Sequence, residues 1–343
     1  MPTIYKVARE AGVSTATVSR VMSGTNGMVS AVTRARVMQA VDRLGYIPNS
    51  TAKNLRTQRS GKILVTVPDI SNPFFSLILQ GIEDAALRAG YAVLIGDTQH
   101  DAAREDRYAR MLRRKEADGL IFLGHRLPAE AAGLIRAAAS HRAPVVNGCE
   151  FSPRLGVPSV HIDNAKAAEE AMGHLYSLGH RRIAVITGPL ISPLSRDRLR
   201  GARAGARTAG AERQLIVMQG DFSIASGTAA GGKLLSRRRP PTAVFCFNDE
   251  MAMGLMDTAR RRGVGVPGDL SVVGFDDIRF AQYLDPPLTT VTQPMREIGE
   301  RCVGLLLEVL KKHGGAPESV TLPHQLTIRL STAAPRRSRR GVR

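Results

Sequence analysis

Arg20 closes the run Thr15-Ala16-Thr17-Val18-Ser19-Arg20, whose residue types point directly to recognition chemistry. Wound as a helix, this run turns Val18 and Val21 inward and leaves Thr15, Ala16, Thr17, Ser19 and Arg20 outside. An outward arginine can donate two hydrogen bonds to O6 and N7 of a guanine, worth about 1–3 kcal/mol of discrimination, and threonine hydroxyls can meet bases or phosphates. Other spacings suggest chemistry that their neighbours withdraw. Gly227-Thr228-Ala229-Ala230-Gly231-Gly232-Lys233-Leu234 starts like a phosphate loop, but Leu234 stands where Ser or Thr must reach magnesium, and residues 225–235 read better as a helix. Gly263-Val264-Gly265-Val266-Pro267-Gly268 has dinucleotide-loop glycines, yet it follows a helix and precedes a strand, the reverse of the required order. The eight histidines and three cysteines show no zinc spacing, there is no GxSxG elbow, and Asp276 and Asp277 are adjacent rather than paired on one face. Cys149, Cys246 and Cys302 read as small buried residues. The expectation is a protein without catalytic residues, metal or cofactor.

Elements must hold Arg20 in place. Ile4, Val7, Ala8 and Ala11 form one stripe of a short helix that Gly12 stops, and Ser14 can cap a second helix over residues 15–22. A third helix begins at Ser30, covers the first two with Val37, Val41 and Leu44, and ends at Gly45. This is a helix-turn-helix layout, in which the second helix enters the major groove. From Lys62 the pattern changes to apolar runs at 62–68, 91–96, 119–123 and 144–147, then at 182–187, 215–218, 243–247 and 271–275, with helical stretches between. The fold class is therefore α/β: two doubly wound parallel-sheet lobes preceded by a small all-α headpiece, with a ligand cleft between the lobes at the carboxyl ends of their strands.

Charge follows the same division. Residues 1–60 carry a net +7 and residues 335–343 carry five arginines, while the long middle is nearly balanced within a total of +18. Such ends favour a polyanion such as nucleic acid. With 43% hydrophobic and 23% charged residues the chain can bury cores, and no apolar run nears the roughly 20 residues that span a bilayer. No secretory signal follows Met1, so the expected location is the cytoplasm.

The stretch Ile4-Tyr5-Lys6-Val7-Ala8-Arg9-Glu10-Ala11-Gly12-Val13-Ser14 and its continuation to Val21 closely resemble the headpiece of the LacI/GalR family of transcriptional repressors. Gly45-Tyr46-Ile47-Pro48-Asn49, followed by Ala52-Lys53-Asn54-Leu55-Arg56, resembles that family's exit from helix three and its hinge helix. The motifs at 67–75, 159–164, 245–249, 274–277 and 285–290 extend the likeness to about residue 330, within the branch of cytidine and purine repressors. The resemblance implies two lobes like those of periplasmic sugar-binding proteins, joined by crossover strands. It divides the chain into a headpiece (1–47), a hinge (48–60), an effector-binding and dimerisation unit (61–332) and a basic disordered tail (333–343).

The same resemblance implies DNA contacts at Thr3, Lys6, Thr15, Ala16, Thr17, Ser19 and Arg20, with Leu55 wedged into a minor-groove base step and Arg56 beside it. Effector contacts fall on Phe74, Phe75 and Phe222 as stacking rings, on Arg198 and Asp276 as polar partners, and on Ser192 and Asp249. Ser192 and Leu194 stand where the purine branch has an arginine and a threonine, which argues against a purine base. The implied function is a ligand-responsive repressor binding a palindromic operator as a homodimer. Its first-choice effector is a pyrimidine nucleoside, with a sugar or sugar phosphate next, as inducer or corepressor. The alternative is a cytoplasmic sugar-binding protein or enzyme that uses the two lobes alone.

Overall fold

The computed structural model describes residues 2–22, 29–47, 59–137, 144–152, 155–311 and 318–336. Leu55, Arg56 and most of the hinge lie outside the described residues, as does the tail from residue 337. The chain divides into two compact units at residues 59 and 60.

In the first unit α1 (Ile4–Glu10) is capped by Thr3, α2 (Thr15–Met22) follows the turn at Gly12, and α3 (Ala31–Leu44) is capped by Ser30 and closed by Gly45 at φ 58°. Val7, Ala8, Val18, Val21, Val37 and Val41 are buried together, so three short helices that could not persist alone share one core. The exposed pair Arg43–Glu10, at 2.8 Å, ties α3 to α1.

The second unit contains two lobes. The first holds β1 (Lys62–Val67), α4 (Pro73–Arg88), β2 (Ala92–Asp97), α5 (Ala102–Arg113), β3 (Gly119–Phe122), α6 (Ala129–Ala137), β4 (Val145–Gly148) and β5 (Ser159–Ile162). The second holds α7 (Asn164–Ser177), β6 (Ile183–Thr187), α8 (Pro193–Thr208), β7 (Ile216–Gln219), α9 (Ile224–Leu235), β8 (Ala243–Cys246), α10 (Asp249–Arg261), β9 (Ser271–Asp276) and β10 (Thr289–Thr292). The chain then returns to the first lobe as α11 (Met295–Leu310) and β11 (Val320–Leu322), and to the second as β12 (Gln325–Thr327). Strand order is β11-β5-β4-β3-β1-β2 in one sheet and β12-β10-β9-β8-β6-β7 in the other.

Three crossovers, at 162–164, 292–295 and 322–325, therefore join the lobes. Three-residue β11 and β12 carry too little periodicity to stand out in the sequence, and β12 pairs antiparallel with β10, so the second sheet is not wholly parallel. The expected disordered tail also begins too early. Ala333 bonds through its backbone to Ser271 and His180, and Arg336 pairs with Asp269 at 2.7 Å, so residues 333–336 are part of the second lobe.

The phosphate-loop-like glycines have a packing role. A Cβ on Gly227 would lie 2.2 Å from the Met251 carbonyl oxygen, and one on Gly254 would lie 2.1 Å from that of Ile224. Helices α9 and α10 thus touch backbone to backbone where a side chain would separate them.

Candidate functional site

The outward face of α2 has the disposition its sequence requires. Val18 and Val21 are buried, Ala16 and Arg20 are exposed, and Thr15, Thr17 and Ser19 are half-buried. The Ser14 hydroxyl accepts the Thr17 amide at 3.2 Å and lies 3.0 Å from the Thr17 hydroxyl, fixing the first turn of the helix. Thr3 caps α1, and Lys6 is exposed on that helix.

A cavity of about 370 Å³ opens between the two lobes at the carboxyl ends of their strands. Phe74 and Phe75 reach it from the start of α4, where Asn72 accepts the Phe74 amide at 2.9 Å and Pro73 sets the first helical residue. Their rings meet edge to face at 5.1 Å. Phe222 enters from the other lobe at φ 74°, a conformation that an L-residue adopts only under constraint. Asn248 supplies that constraint by donating to the Phe222 carbonyl at 2.8 Å. The ring lies against Gly188, where an added Cβ would come within 2.0 Å of it. His100, Cys149, Phe222 and Asp276 are four of the seven described non-glycine residues at positive φ, and all line this cavity. Backbone strain is thus concentrated where a ligand would be held.

Arg198 and Asp276 form the polar end. Arg198 is 3% exposed, stacks its guanidinium 3.5 Å above the Phe275 ring, and donates to Asn164 Oδ1 at 2.8 Å and to the Phe247 carbonyl. Its Nη2 lies 3.7 Å from Asp276 Oδ1, which also accepts from Gln293 at 2.7 Å. Gln293 sits in the second crossover, so this carboxylate is linked directly to a segment joining the lobes.

Ser192 lines the cavity as well. As the N-cap of α8 it makes no capping bond, and its hydroxyl instead donates to Glu150 at 2.9 Å, while the Leu194 amide reaches the same carboxylate at 3.3 Å. Glu150 belongs to the first lobe and Ser192 to the second, so these bonds cross the cleft. Glu150 was missed in the sequence, although its place just after a buried strand is where open α/β sheets put ligand groups. Asp249 departs from the expected effector contact. It does not line the cavity: fully buried, it accepts from the Thr290 hydroxyl at 2.6 Å and the Ile278 amide at 2.8 Å, which locks the end of β9 to β10. Asn248 and Glu250, on either side of it, reach the cavity instead.

Burial dominates the electrostatics. It pushes Asp276 up to about 7 against the opposing pull of Arg198 and Gln293, and Glu150 up to about 7 against its bonds from Ser192 and Leu194. Glu250 also rises to about 7, through burial first and then the negative charge of Asp69 across the cleft. Burial lowers Arg198 to about 10, which leaves it cationic at neutral pH. A raised carboxyl pKa means that the folded state binds the extra proton between about pH 4.5 and 7, so stability is lost as pH rises through that window. Glu150→Gln is therefore expected to match the parent near pH 4.5 and to exceed it by a few kcal/mol at pH 8. Urea unfolding of both proteins at several pH values measures the difference, and a pH-independent gap would remove the burial argument.

Residues 3–49 match the family model described as bacterial regulatory proteins, lacI family, and residues 172–332 match the periplasmic binding protein-like domain. The chain is 43% identical to the HTH-type transcriptional repressor CytR of Escherichia coli K12, across 97% of this chain and 96% of that protein. The chain belongs to the LacI family. It is similar in structure to the lac repressor dimer bound to operator and an anti-inducer, at 30% identity and a TM-score of 0.86 over 97% of this chain and 99% of that one. It also resembles a LacI-family regulator from Enterococcus faecium with bound ribose, at 28% identity and a TM-score of 0.71 over 80% and 99%. As a LacI-family repressor it combines a DNA-binding headpiece with an effector-binding unit and is not an enzyme. This displaces the alternative of a binding protein or enzyme using the lobes alone. Among the described residues no helix is long and apolar enough to cross a membrane.

Proposed function

We propose that this LacI-family repressor acts in the cytoplasm as a homodimer on a palindromic operator and answers to a nucleoside, a pyrimidine nucleoside before others. The observation that carries the ligand class is a single cavity with three phenylalanines and, at its polar end, the buried Arg198–Asp276 pair. Flat rings suit a heterocycle, and a buried carboxylate beside an arginine suits adjacent sugar hydroxyls. The volume lies within the range of small-molecule sites. The ribose in the Enterococcus faecium regulator supports the sugar half of this reading and keeps a free sugar or sugar phosphate as second choice.

A ligand shifts operator affinity only by binding two lobe arrangements unequally. Glu150 with Ser192, across the cleft, and Asp276 with Gln293, at a crossover, are the bonds that such a ligand would rearrange. A coupling of about 1–3 kcal/mol is typical. Leu55 and Arg56 complete the proposed DNA contact as a minor-groove wedge and its neighbour.

Thermal unfolding of the full chain with cytidine, uridine, adenosine, hypoxanthine, ribose and ribose 5-phosphate tests the ligand. At 100 times its dissociation constant a ligand adds about 2.7 kcal/mol. Stabilisation by cytidine or uridine supports the proposal, stabilisation by ribose or its phosphate alone moves it to the second choice, and no stabilisation by any of them refutes both. On the DNA side, Arg20→Ala is expected to remove about 1–3 kcal/mol of preference for a guanine while leaving non-specific affinity nearly unchanged. Sequence selection from a random duplex pool by parent and variant reads this directly, and identical selected sequences would unseat Arg20 as a base reader.

A further inference from the structure

The amino ends of the second lobe's strands carry a feature unrelated to the cleft at their carboxyl ends. Parallel β6 and β8 start side by side, with Ile183 in register with Ala243. Arg181 and Arg182 immediately precede the first strand, and Arg237, Arg238 and Arg239 lead toward the second, so five exposed arginines distant in sequence are brought together. Arg181, Arg182, Arg237 and Arg239 line one concavity of about 630 Å³, and Arg238 adjoins it. Its walls are held in place: Arg182 Nε donates to the Pro240 carbonyl at 2.8 Å, and His180 bonds the Thr242 hydroxyl at 2.9 Å.

No carboxylate lines this concavity among the described residues. Nearby Asp269 is paired with Arg336 and Glu212 with Arg207, so neither supplies a counter-charge to the five. Clustered like charges repel, and an anion that bridges them relieves the repulsion. The planar guanidinium fork fits phosphate oxygens two at a time. Ile216 and Pro335 are the apolar lining residues, and among the described residues that line it no aromatic ring offers a base a stacking platform. The recognised chemistry is thus closely spaced phosphates without base readout. An extended polyanion fits better than a compact one, because Pro335 on the rim is followed in sequence, beyond the Arg336 that Asp269 pairs, by Arg337, Arg339, Arg340 and Arg343.

We propose that the arginine concavity at the amino ends of β6 and β8 is a second, sequence-independent site for the phosphate backbone of duplex DNA. Through it one protein engages a duplex besides the one on its headpiece.

The test mixes donor-labelled and acceptor-labelled random-sequence duplexes with full-length protein and reads energy transfer between them. The parent is expected to bring the two duplexes together. The variant Arg237→Gln/Arg238→Gln/Arg239→Gln should do so about tenfold less well and with a shallower salt dependence, since each phosphate contact contributes nearly one unit to that slope. Its affinity for a first duplex should stay within about twofold, and its melting temperature should be unchanged, because all three side chains are exposed. Bridging that survives in the variant, or is absent from the parent, overturns the proposal. If inorganic polyphosphate stabilises the parent but not the variant while no bridging occurs, the occupant is a free polyphosphate chain and the DNA assignment falls. Headpiece binding is measured on the first duplex, so failure here is distinct from failure of the repressor reading.

Discussion

Arg198→Met is expected to destabilise the effector-binding unit by about 3–5 kcal/mol, the range for removing one partner of a buried charge pair. The reason is what remains. Asp276 would keep Gln293 but lose the cation 3.7 Å away, while Asn164 Oδ1 and the Phe247 carbonyl, both served by Arg198, would lose their donor. Methionine fills the volume over the Phe275 ring, so the loss reports charge and hydrogen bonding more than a cavity. The companion double variant Arg198→Met/Asp276→Asn removes the stranded carboxylate and should recover part of the loss. Urea unfolding of Arg198→Met, Asp276→Asn and the double variant, followed by circular dichroism, gives the three differences from the parent. Strict additivity of the two single changes would mean that Arg198 and Asp276 do not act as a pair.

Legibility differed between the two units for a physical reason. In the headpiece a few apolar residues at helical spacing, with Ser14, Ser30 and Gly45 at the helix ends, leave little freedom, and the elements lie within a residue of where periodicity puts them. Buried strands such as β3 and β8 announce themselves as continuous apolar runs, whereas β11 and β12, three residues long, exist because a sheet edge is there to receive them. The cleft was half legible. Phe74, Phe75, Ser192, Phe222, Arg198 and Asp276 do line one cavity, by way of resemblance rather than pattern. Asp249 and Asp276 each stand at or just past the end of a buried strand, and what takes Asp249 out of the cavity is tertiary hydrogen bonds to Thr290 and Ile278 that no local spacing encodes. Glu150 escaped notice for the same reason, since its partner Ser192 is contributed by the other lobe.

Asp276→Asn is expected to abolish the response to effector while leaving DNA binding intact. Burial raises this carboxyl to about 7, so near neutrality the folded chain already populates its uncharged form. A neutral amide takes a counter-charge from Arg198, but that cation keeps its bonds to Asn164 and the Phe247 carbonyl, so the lobe should be weakened rather than unfolded. What the amide lacks is the capacity to accept two hydroxyl protons with a full negative charge. Each such bond is worth about 1.5–3 kcal/mol, so losing two weakens an effector at least a hundredfold. The ionised form is the acceptor, so parent affinity should rise between pH 6 and 8 as Asp276 deprotonates. The variant should lose that part of the rise, keeping only what Glu150 and Glu250, raised to about 7 in the same cavity, contribute. Calorimetric titration of the effector found by thermal screening, at both pH values and with both proteins, carries the test. A variant that binds the effector as tightly as the parent would exclude Asp276 from the site. Equal pH slopes with weakened binding would leave its carboxylate as a structural partner of Arg198 and Gln293.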